Sequence, residues 1–586
     1  MKPFIFPAAI AILLTIFFVG LPDISKFGAR KICENEDKSP FSLTLSDMIA
    51  ILFITLLFGF VDFTSLGNRN SPETFIQMGD EPVNIIFDNP AYPSNIMLFS
   101  GVSTGEYIIE LSSNGDDYET AAQFSQTYDT VLKWNRVSLS AQMQDVKYAR
   151  IYATSAPFLG EAVFLDTLGN VIPCRSDSKE ICDEQQNVPS EITFMNSSYF
   201  DEIYHARTAW EHMHNVYPYE ISHPPLGKLI ILLGIALFGM TPFGWRFSGT
   251  FFGVLMLPII YIFIKKLFGS TRTAICGTLL LATDFMHYVQ TRIATIDTYA
   301  VFFILLMYMF MYDFIKTGKL KSLALSGIFF GLGAASKWTC IYAGAGLAVI
   351  WAAYWIINRK KGFKKFAKNS AWCIVFFITV PCIIYYLSYI PYGKAMGIQG
   401  IFNKDYFTAV ISNQEYMFSY HSALVAEHPY SSKWYYWILN IRPILYYLEY
   451  YPENLRSSFG AFLNPMLCWG GLLAIFVLLY RATFKKDTEA AFIITGYFAQ
   501  LIPWMFVTRL TFEYHYFPCS IFLVLAVAYV FSLMENSKEK HAKSYIIAFT
   551  ALSALLFITF YPVLSGQRID STLAVTLYHW LPTWPF

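Results

Sequence analysis

The chain has 586 residues, a formal net charge of +0 and a mean hydropathy of +0.41, with 55% of residues hydrophobic and 18% aromatic. That is too apolar for an ordinary soluble domain, and the balanced charge carries no basic footprint of a nucleic-acid binder. Repeated apolar runs of about 18–22 residues match the length that crosses a bilayer, so the expected class is a polytopic α-helical membrane protein.

Residues 3–21 are apolar and read as an uncleaved helix, because Lys2 precedes the run but no small-residue cleavage site follows it. A polar stretch with Lys26, Arg30, Lys31 and Lys38 separates it from a second apolar run at 45–63. Residues 1–65 are therefore read as N-terminal transmembrane helices. A polar region of about 160 residues follows and ends near Pro225. From about 75 to 173 it alternates with period two in "YIIELSS", "NRVSLSA", "ARIYATS" and "AVFLDTLGNVI", with turn signals at "SSNGDD" and "TLGN". Short strands at this spacing predict an antiparallel β-sandwich over 70–175. Most of the nine cysteines lie in apolar runs and read as small core residues, but Cys174 and Cys182 lie in polar sequence. These two could form a disulfide if that region is exported.

Residues 195–240 are read as an extracytoplasmic catalytic loop with juxtamembrane helices, and 241–586 as a transmembrane core. Spans are expected near 244–264, 272–290, 293–315, 322–336, 339–357, 370–390, 461–480, 488–508, 512–534 and 544–564, giving about twelve with the first two. Segment 226–240 is short and carries Gly234 and Gly239, so it is read as interfacial or re-entrant. Basic clusters at Lys26/Arg30/Lys31, Lys265/Lys266/Arg272, Lys316/Lys319/Lys321, Arg359 to Lys368, Arg481/Lys485/Lys486 and Lys538/Lys540/Lys543 then all fall on one side. The opposite, outer side receives 64–225, a loop at 391–460 and Arg509 to His515.

The outer side also receives an acidic pair, Asp201 and Glu202, opening the stretch "DEIYHARTAWEHMHN". Carboxylates at a helix start are what the helix dipole alone would select. Three further features point to chemistry. "HPPLGK" fixes a turn that holds His223 and Lys228 near headgroup level. "TPFGWRFSG" places Arg246, and "TRIATIDTY" places Arg292 and Asp297, at the same rim, where Arg509 also falls. Arginines at a rim can simply snorkel, but ionisable groups in membrane segments also mark substrate paths. Cations beside a carboxylate pair suit a phosphorylated lipid donor: the cations neutralise the leaving phosphate and a carboxylate takes a proton from an incoming hydroxyl. That is the logic of inverting sugar transfer.

The ordered series "FDEIYHARTAWEHMHN", "HPPLGKLI", "WRFSGTFFGVLMLPIIYIFIKKLFGS", "TRIATIDTYAVFF", "GLGAASKWTCIY", "HPYSSKWYYWILNIRPILYY", "LNPMLCWGG" and "FEYHYFPCSIFLVL" resembles the protein O-mannosyltransferase family in its bacterial form. The resemblance implies a C-type glycosyltransferase (GT-C) fold, a polyprenyl-phosphate sugar donor, usually of mannose, and serine or threonine acceptors on exported proteins. It implies Asp201 as base with Glu202 beside it, and Arg246 at the donor phosphate together with Lys228, Arg292 and His223. Asp297, Lys337, His515 and Tyr516 sit in matching motifs. The family usually carries an arginine before its "F.SLG" stretch; here "VDFTSLG" has Asp62, so either Arg69 substitutes or that contact is missing. The segment "GEYIIELSSNGDDYETAAQF … LGEAVFLDTLGNVI" resembles discoidin-like, galactose-binding jelly-roll domains, which implies either a sugar ligand or a shield over the site.

The expected setting is the cell (plasma) membrane, with the bilayer, the lipid-linked donor and an exported protein or cell-surface polymer as partners. No metal site is read from the sequence: Asp201 and His205 are four apart, but no "HExxH" or paired-cysteine pattern accompanies them. A divalent cation, Mg2+ or Mn2+, could sit at the donor phosphate through Asp201 or Glu202. His205, His212 and His214 are read as polar positions of an exposed interfacial helix, and "NSSY" at 196–199 as a chance match to a glycosylation triplet. The 391–460 loop, with His421, His428, Lys433 and Trp434, is read as an aromatic belt or a lid. The rival acceptor is a cell-wall polymer or lipid. A transporter would need buried charge and an internal repeat, and a sugar sensor would survive loss of Asp201.

Overall fold

The computed structural model describes residues 4–32, 41–140, 143, 145–359, 362–537 and 539–586. Lys2, Pro3 and the expected basic residues Lys38, Lys360, Lys361 and Lys538 lie outside them. The chain divides into a unit of Met1–Thr64, Glu220–Leu229 and Gly249–Phe586 and a second of Ser65–Tyr219 and Ile230–Ser248.

Among the described residues nine helices are long and apolar enough to cross a membrane: Ile5–Lys26, Leu45–Phe63, Pro242–Phe268, Asp297–Thr317, Thr339–Ile357, Phe363–Ala395, Pro465–Lys485, Glu513–Glu535 and Ala542–Phe560. The protein is a polytopic helical membrane protein. The expected segments 272–290, 322–336 and 488–508 are shorter helices, for identifiable reasons. The first stops at Ala282 and restarts as Phe285–Thr291, because Asp284 accepts the His287 amide at 3.1 Å and caps a new helix. The second, Leu320–Ser336, has 17 residues, and its Gly327 and Gly331 lie against Phe376 and Pro381 of the neighbouring helix. The third is Thr488–Leu501, after which Pro503 tightens the chain into a short 3₁₀ turn. Leu226–Phe238 has 13 residues, about 20 Å of helix, well short of a hydrocarbon core. Several residues of the basic clusters are tied to acids: Lys265 to Asp47 at 3.2 Å, Lys266 to Asp313 at 2.5 Å, Arg272 to Glu535 at 2.8 Å and Arg481 to Asp487 at 2.8 Å.

The stretch read as a 391–460 loop is largely regular. It holds the helix Lys404–Ala423 and an antiparallel hairpin of Ile444–Tyr451 and Leu455–Ala461. The hairpin takes the first residue of the span expected at 461–480, so that helix starts instead at Pro465, behind an Asn464 cap.

The second unit carries nine strands: β1 Ile76–Gln77, β2 Val83–Ala91, β3 Asn95–Ser100, β4 Gly105–Ser112, β5 Glu119–Gln126, β6 Lys133–Ser138, β7 Val146–Thr154, β8 Phe158–Leu165 and β9 Cys174–Ser176. They form two antiparallel sheets, ordered β1-β8-β3-β6 and β5-β4-β7-β2-β9. Alternate residues meet in one apolar core, Ile96, Leu98 and Phe164 from the first sheet and Ile85, Ile109 and Ile151 from the second. β3 departs from alternation because both of its faces are covered. Met97 and Phe99 pack on the far side with Trp134, Val163, Val188 and Ile192. The segment that covers this outer face leads directly into the acidic pair.

Sγ of Cys174 and Sγ of Cys182 are 3.6 Å apart, at the start of β9 and just past a 3₁₀ turn. A bond there would close a nine-residue loop and stabilise it by about 2.5 kcal/mol in the chain-entropy account. Peptide mapping without reductant of protein made with the region exported is expected to recover the two cysteines as one linked peptide. Recovery of both as alkylated thiols would contradict this.

Candidate active site

The turn before the acidic pair is pinned to the sheets. Trp134 N donates to Ser197 Oγ at 3.2 Å, Ser198 N donates to Leu132 O at 2.9 Å, and Ser198 Oγ donates to Val131 O at 2.8 Å. Asn196 is buried with its amide donating to Glu191 O at 2.8 Å, so the "NSSY" triplet offers no accessible acceptor in the folded chain. Phe200 has φ +46, a left-handed conformation that bulky residues rarely adopt. It reverses the chain so that Asp201 precedes the helix Glu202–Met213 and Glu202 begins it.

The two carboxylates then diverge. Glu202 is fully buried and bidentate to Arg246: Nε donates to Oε1 at 2.7 Å and Nη2 to Oε2 at 2.8 Å. The remaining guanidinium donors of Arg246 reach backbone carbonyls of Leu66 at 2.9 Å, Phe194 at 2.7 Å and Ser197 at 3.0 Å, and the plane lies 4.7 Å from the Tyr199 ring. All five N–H groups are thereby used inside the protein. Arg246 therefore does not present a fork to a donor phosphate as expected; it positions the turn that carries Asp201. Glu202 is likewise committed, both of its oxygens being bonded to Arg246. Asp201 is only half-buried and keeps a face toward solvent.

The helix after the pair is not the exposed interfacial helix expected. Ten of its residues, His205 and His212 among them, are buried, and His214 is exposed. Trp210 packs edge-on to Phe75 at 5.6 Å and Phe158 at 5.5 Å, and Arg207 neutralises Glu211 at 2.7 Å. Arg69 is exposed and lies 4.6 Å over the Phe243 ring, a cation–π contact within the second unit.

The helical unit holds the other candidates. Lys228 is buried, and its three donors reach Glu220 Oε2 at 2.5 Å, Glu220 O at 2.8 Å and His223 O at 2.8 Å. Like Arg246, it holds a turn instead of meeting a phosphate. Glu220 also accepts from Ser222 N at 2.9 Å and faces His223 Nδ1 at 2.9 Å, so it organises the whole "EISHPPLGK" turn. His223 meets His421 edge-on at 5.1 Å, and His421 Nε2–H donates to Ser222 O at 2.8 Å. Lys337 pairs with Asp297 at 2.6 Å and lies 5.6 Å from the Tyr514 ring. Arg292 donates to the backbone carbonyl of Asp62 and lies 4.9 Å over Tyr288. Tyr516 is buried with its hydroxyl 2.7 Å from that of Tyr497, a core pair. His515 is buried against Trp437 and Trp504.

The charges of His223, Arg509 and Lys337 all act on His421, and together with burial they lower its proton affinity from the ordinary 6.5 to about 4, burial being the largest cause. Burial also lowers His223. The charge of Lys337 thus acts on both members of the His223–His421 pair, and that of Arg509 on His421. Arg509 is half-buried, and among the described residues its guanidinium bonds to the Leu510 carbonyl at 3.1 Å. Sequence reasoning named His421 in its loop without assigning it a role, and it missed Glu220. The signal for Glu220 was its place three residues before His223, a spacing at which side chains share a turn.

Two expectations follow. Glu202→Ala leaves a buried guanidinium unpaired and is expected to cost roughly 3–5 kcal/mol, read as a lower unfolding midpoint in detergent. Asp201→Asn is expected to stay within about 0.5 kcal/mol; equal destabilisation by both would contradict the division of roles. Folded His421 holds its proton less tightly than an unfolded histidine, so the unfolded chain binds more protons between pH 6.5 and 4. Its contribution to stability is full above pH 6.5 and is lost as pH falls through that window. His421→Gln is expected to flatten the acid limb of the stability curve; an unchanged slope would contradict the assignment.

Comparison with known proteins adds independent findings. Residues 222–385 match the model described as dolichyl-phosphate-mannose-protein mannosyltransferase, and residues 402–584 match the C-terminal four-transmembrane region of protein O-mannosyltransferase. A polyprenol-phosphate-mannose--protein mannosyltransferase of Mycolicibacterium smegmatis is 24% identical over 452 residues, covering 66% of this chain and 87% of the relative. The protein of the same name from Mycobacterium tuberculosis is 24% identical over 466 residues, covering 67% and 88%. The S. cerevisiae protein O-mannosyltransferase Pmt1-Pmt2 complex bound to the sugar donor superposes with a TM-score of 0.59 at 14% identity, over 67% of this chain and 90% of that one, a likeness of fold. The two matched regions together span more than half of the 586 residues, and the chain belongs to the protein O-mannosyltransferase family.

Proposed function

We propose that this protein transfers mannose, with inversion, from a polyprenyl-phosphate donor to serine or threonine hydroxyls of exported proteins. The observation that carries the reading is the division of the acidic pair, in which Arg246 holds the fully buried Glu202 while Asp201 stays half-buried. The names of the mycobacterial relatives support the donor and the acceptor class.

In the proposed step the acceptor hydroxyl oxygen attacks the anomeric carbon, and Asp201 accepts its proton as the bond forms. The carbon–oxygen bond to the phosphate breaks, and the lipid phosphate leaves with the bonding electrons. Lys337 and Arg509, both of the helical unit, are proposed as the cations for such a phosphate. Arg246 and Lys228 act one step back, as braces of the two turns. The active site is placed at the outer face of the plasma membrane, in a GT-C fold of about twelve spans whose shorter helices complete the bundle. The two sheets are proposed to be an inserted jelly-roll of the galactose-binding type, which braces the acidic turn through Ser197 and Ser198.

The test is transfer from labelled polyprenyl-phosphate-mannose in membranes. Arg509→Gln is expected to raise the donor KM about ten- to a hundredfold through loss of one charge-assisted contact. An unchanged donor KM would remove Arg509 from the phosphate site. Label that moved to a non-protein fraction would keep the chemistry and replace the acceptor by a cell-wall polymer or lipid. Chelation in the same assay reads any dependence on Mg2+ or Mn2+.

A further inference from the structure

Three carboxylates of the sheet-bearing unit converge. One oxygen from each of Glu161, Asp183 and Glu184 lies within 4.8 Å of the others. An acidic cluster alone is commonplace on a protein surface, but this one has a buried member. Glu161, on β8, has a relative exposure of 0%, and its Oε1 has no hydrogen-bond partner among the described residues. A fully buried carboxylate oxygen without a partner is costly, and it is rare in a native fold unless a ligand completes it. The side-chain charges that Asp183 and Glu184 add are of the same sign, which deepens the cost.

Neighbouring donors hold two of the three groups, Glu161 and Glu184, in place. Glu161 Oε2 accepts the Glu184 amide at 2.8 Å. Glu184 Oε2 accepts the Glu73 amide at 2.9 Å and the Thr74 hydroxyl at 3.3 Å. These donors are all neutral. Asp183 is exposed and follows Cys182, whose sulfur lies 3.6 Å from that of Cys174 on β9. The carboxylates therefore come from a strand and from a short polar segment folded back on it. A cation between them would fasten that segment to the sheet.

We propose that Glu161, Asp183 and Glu184 bind a divalent cation through oxygen ligands, and that the cation is Ca2+. Carboxylate oxygens favour a hard cation. Ca2+ accepts irregular sets of six to eight oxygens, mono- and bidentate carboxylates with carbonyls and water, whereas Mg2+ demands near-octahedral geometry. The site is structural: it ties residues 182–184 to β8 and is separate from the proposed sugar transfer.

The experiment uses the full-length protein in detergent, stripped with chelator and dialysed against labelled Ca2+ at about 1 mM, the weak end of the range for extracellular calcium modules. Wild type, Glu161→Gln and Asp183→Asn are compared. Asp183 is exposed, so its variant keeps the fold even if the buried substitution does not. Wild type is expected to bind one more Ca2+ per chain than either variant, and its unfolding midpoint to rise with Ca2+ while that of Asp183→Asn does not. Equal binding by wild type and Asp183→Asn, with the same midpoint shift, would overturn the proposal. Saturation by Mg2+ at equal concentration, with loss in the same variants, would overturn the choice of Ca2+.

Discussion

The buried bidentate pair of Glu202 and Arg246 is the interaction on which the candidate site depends. It takes two charges out of water, which costs several kcal/mol for each, and recovers that cost only because every guanidinium donor and both carboxylate oxygens are bonded. The carbonyls of Leu66, Phe194 and Ser197 fix the arginine from three separate stretches of chain. Those stretches converge on the turn at Phe200, whose left-handed backbone is held by the surrounding bonds. The consequence is chemical. Two adjacent carboxylates are driven into different environments, Glu202 fully buried against Arg246 and Asp201 half-buried.

The same rule sorts the cations. A lysine or arginine whose donors are all satisfied by buried acceptors organises its neighbourhood and has little left for a phosphate. Lys228, bonded to Glu220 and to the His223 carbonyl, belongs with Arg246 in that class. Lys337, in a single ion pair with Asp297, and Arg509, bonded to a neighbouring carbonyl, retain capacity. Burial first, and the charges of His223, Arg509 and Lys337 after it, lower the proton affinity of His421.

Much of this was legible in the sequence, and the misses have physical causes. Long apolar runs and period-two alternation report directly on bilayer length and on half-buried strands, so the membrane class and strands β4, β6, β7 and β8 could be read. β3 could not be read from alternation, because it is covered on both faces and appears as a continuous apolar run. The break at Asp284 and the turn at Pro503 shorten two expected spans. Both carry local signals, a capping aspartate and a proline, that a hydropathy window averages away. The acidic pair stood out by position, yet its pairing did not. Glu202 and Arg246 are 44 residues apart, and no spacing rule says which cation meets which anion in a fold. Burial of the helix Glu202–Met213 was hidden for the same reason: Trp210 finds its partners, Phe75 and Phe158, in the strand region far upstream.

The central claim is that Asp201, and not its neighbour, takes the proton in sugar transfer. The most direct test is transfer of radiolabelled mannose from polyprenyl-phosphate-mannose to protein, in membranes carrying equal amounts of the wild type and Asp201→Asn. The account predicts label on protein with the wild type and a loss of at least about a hundredfold in the variant. Equal transfer by both would contradict it.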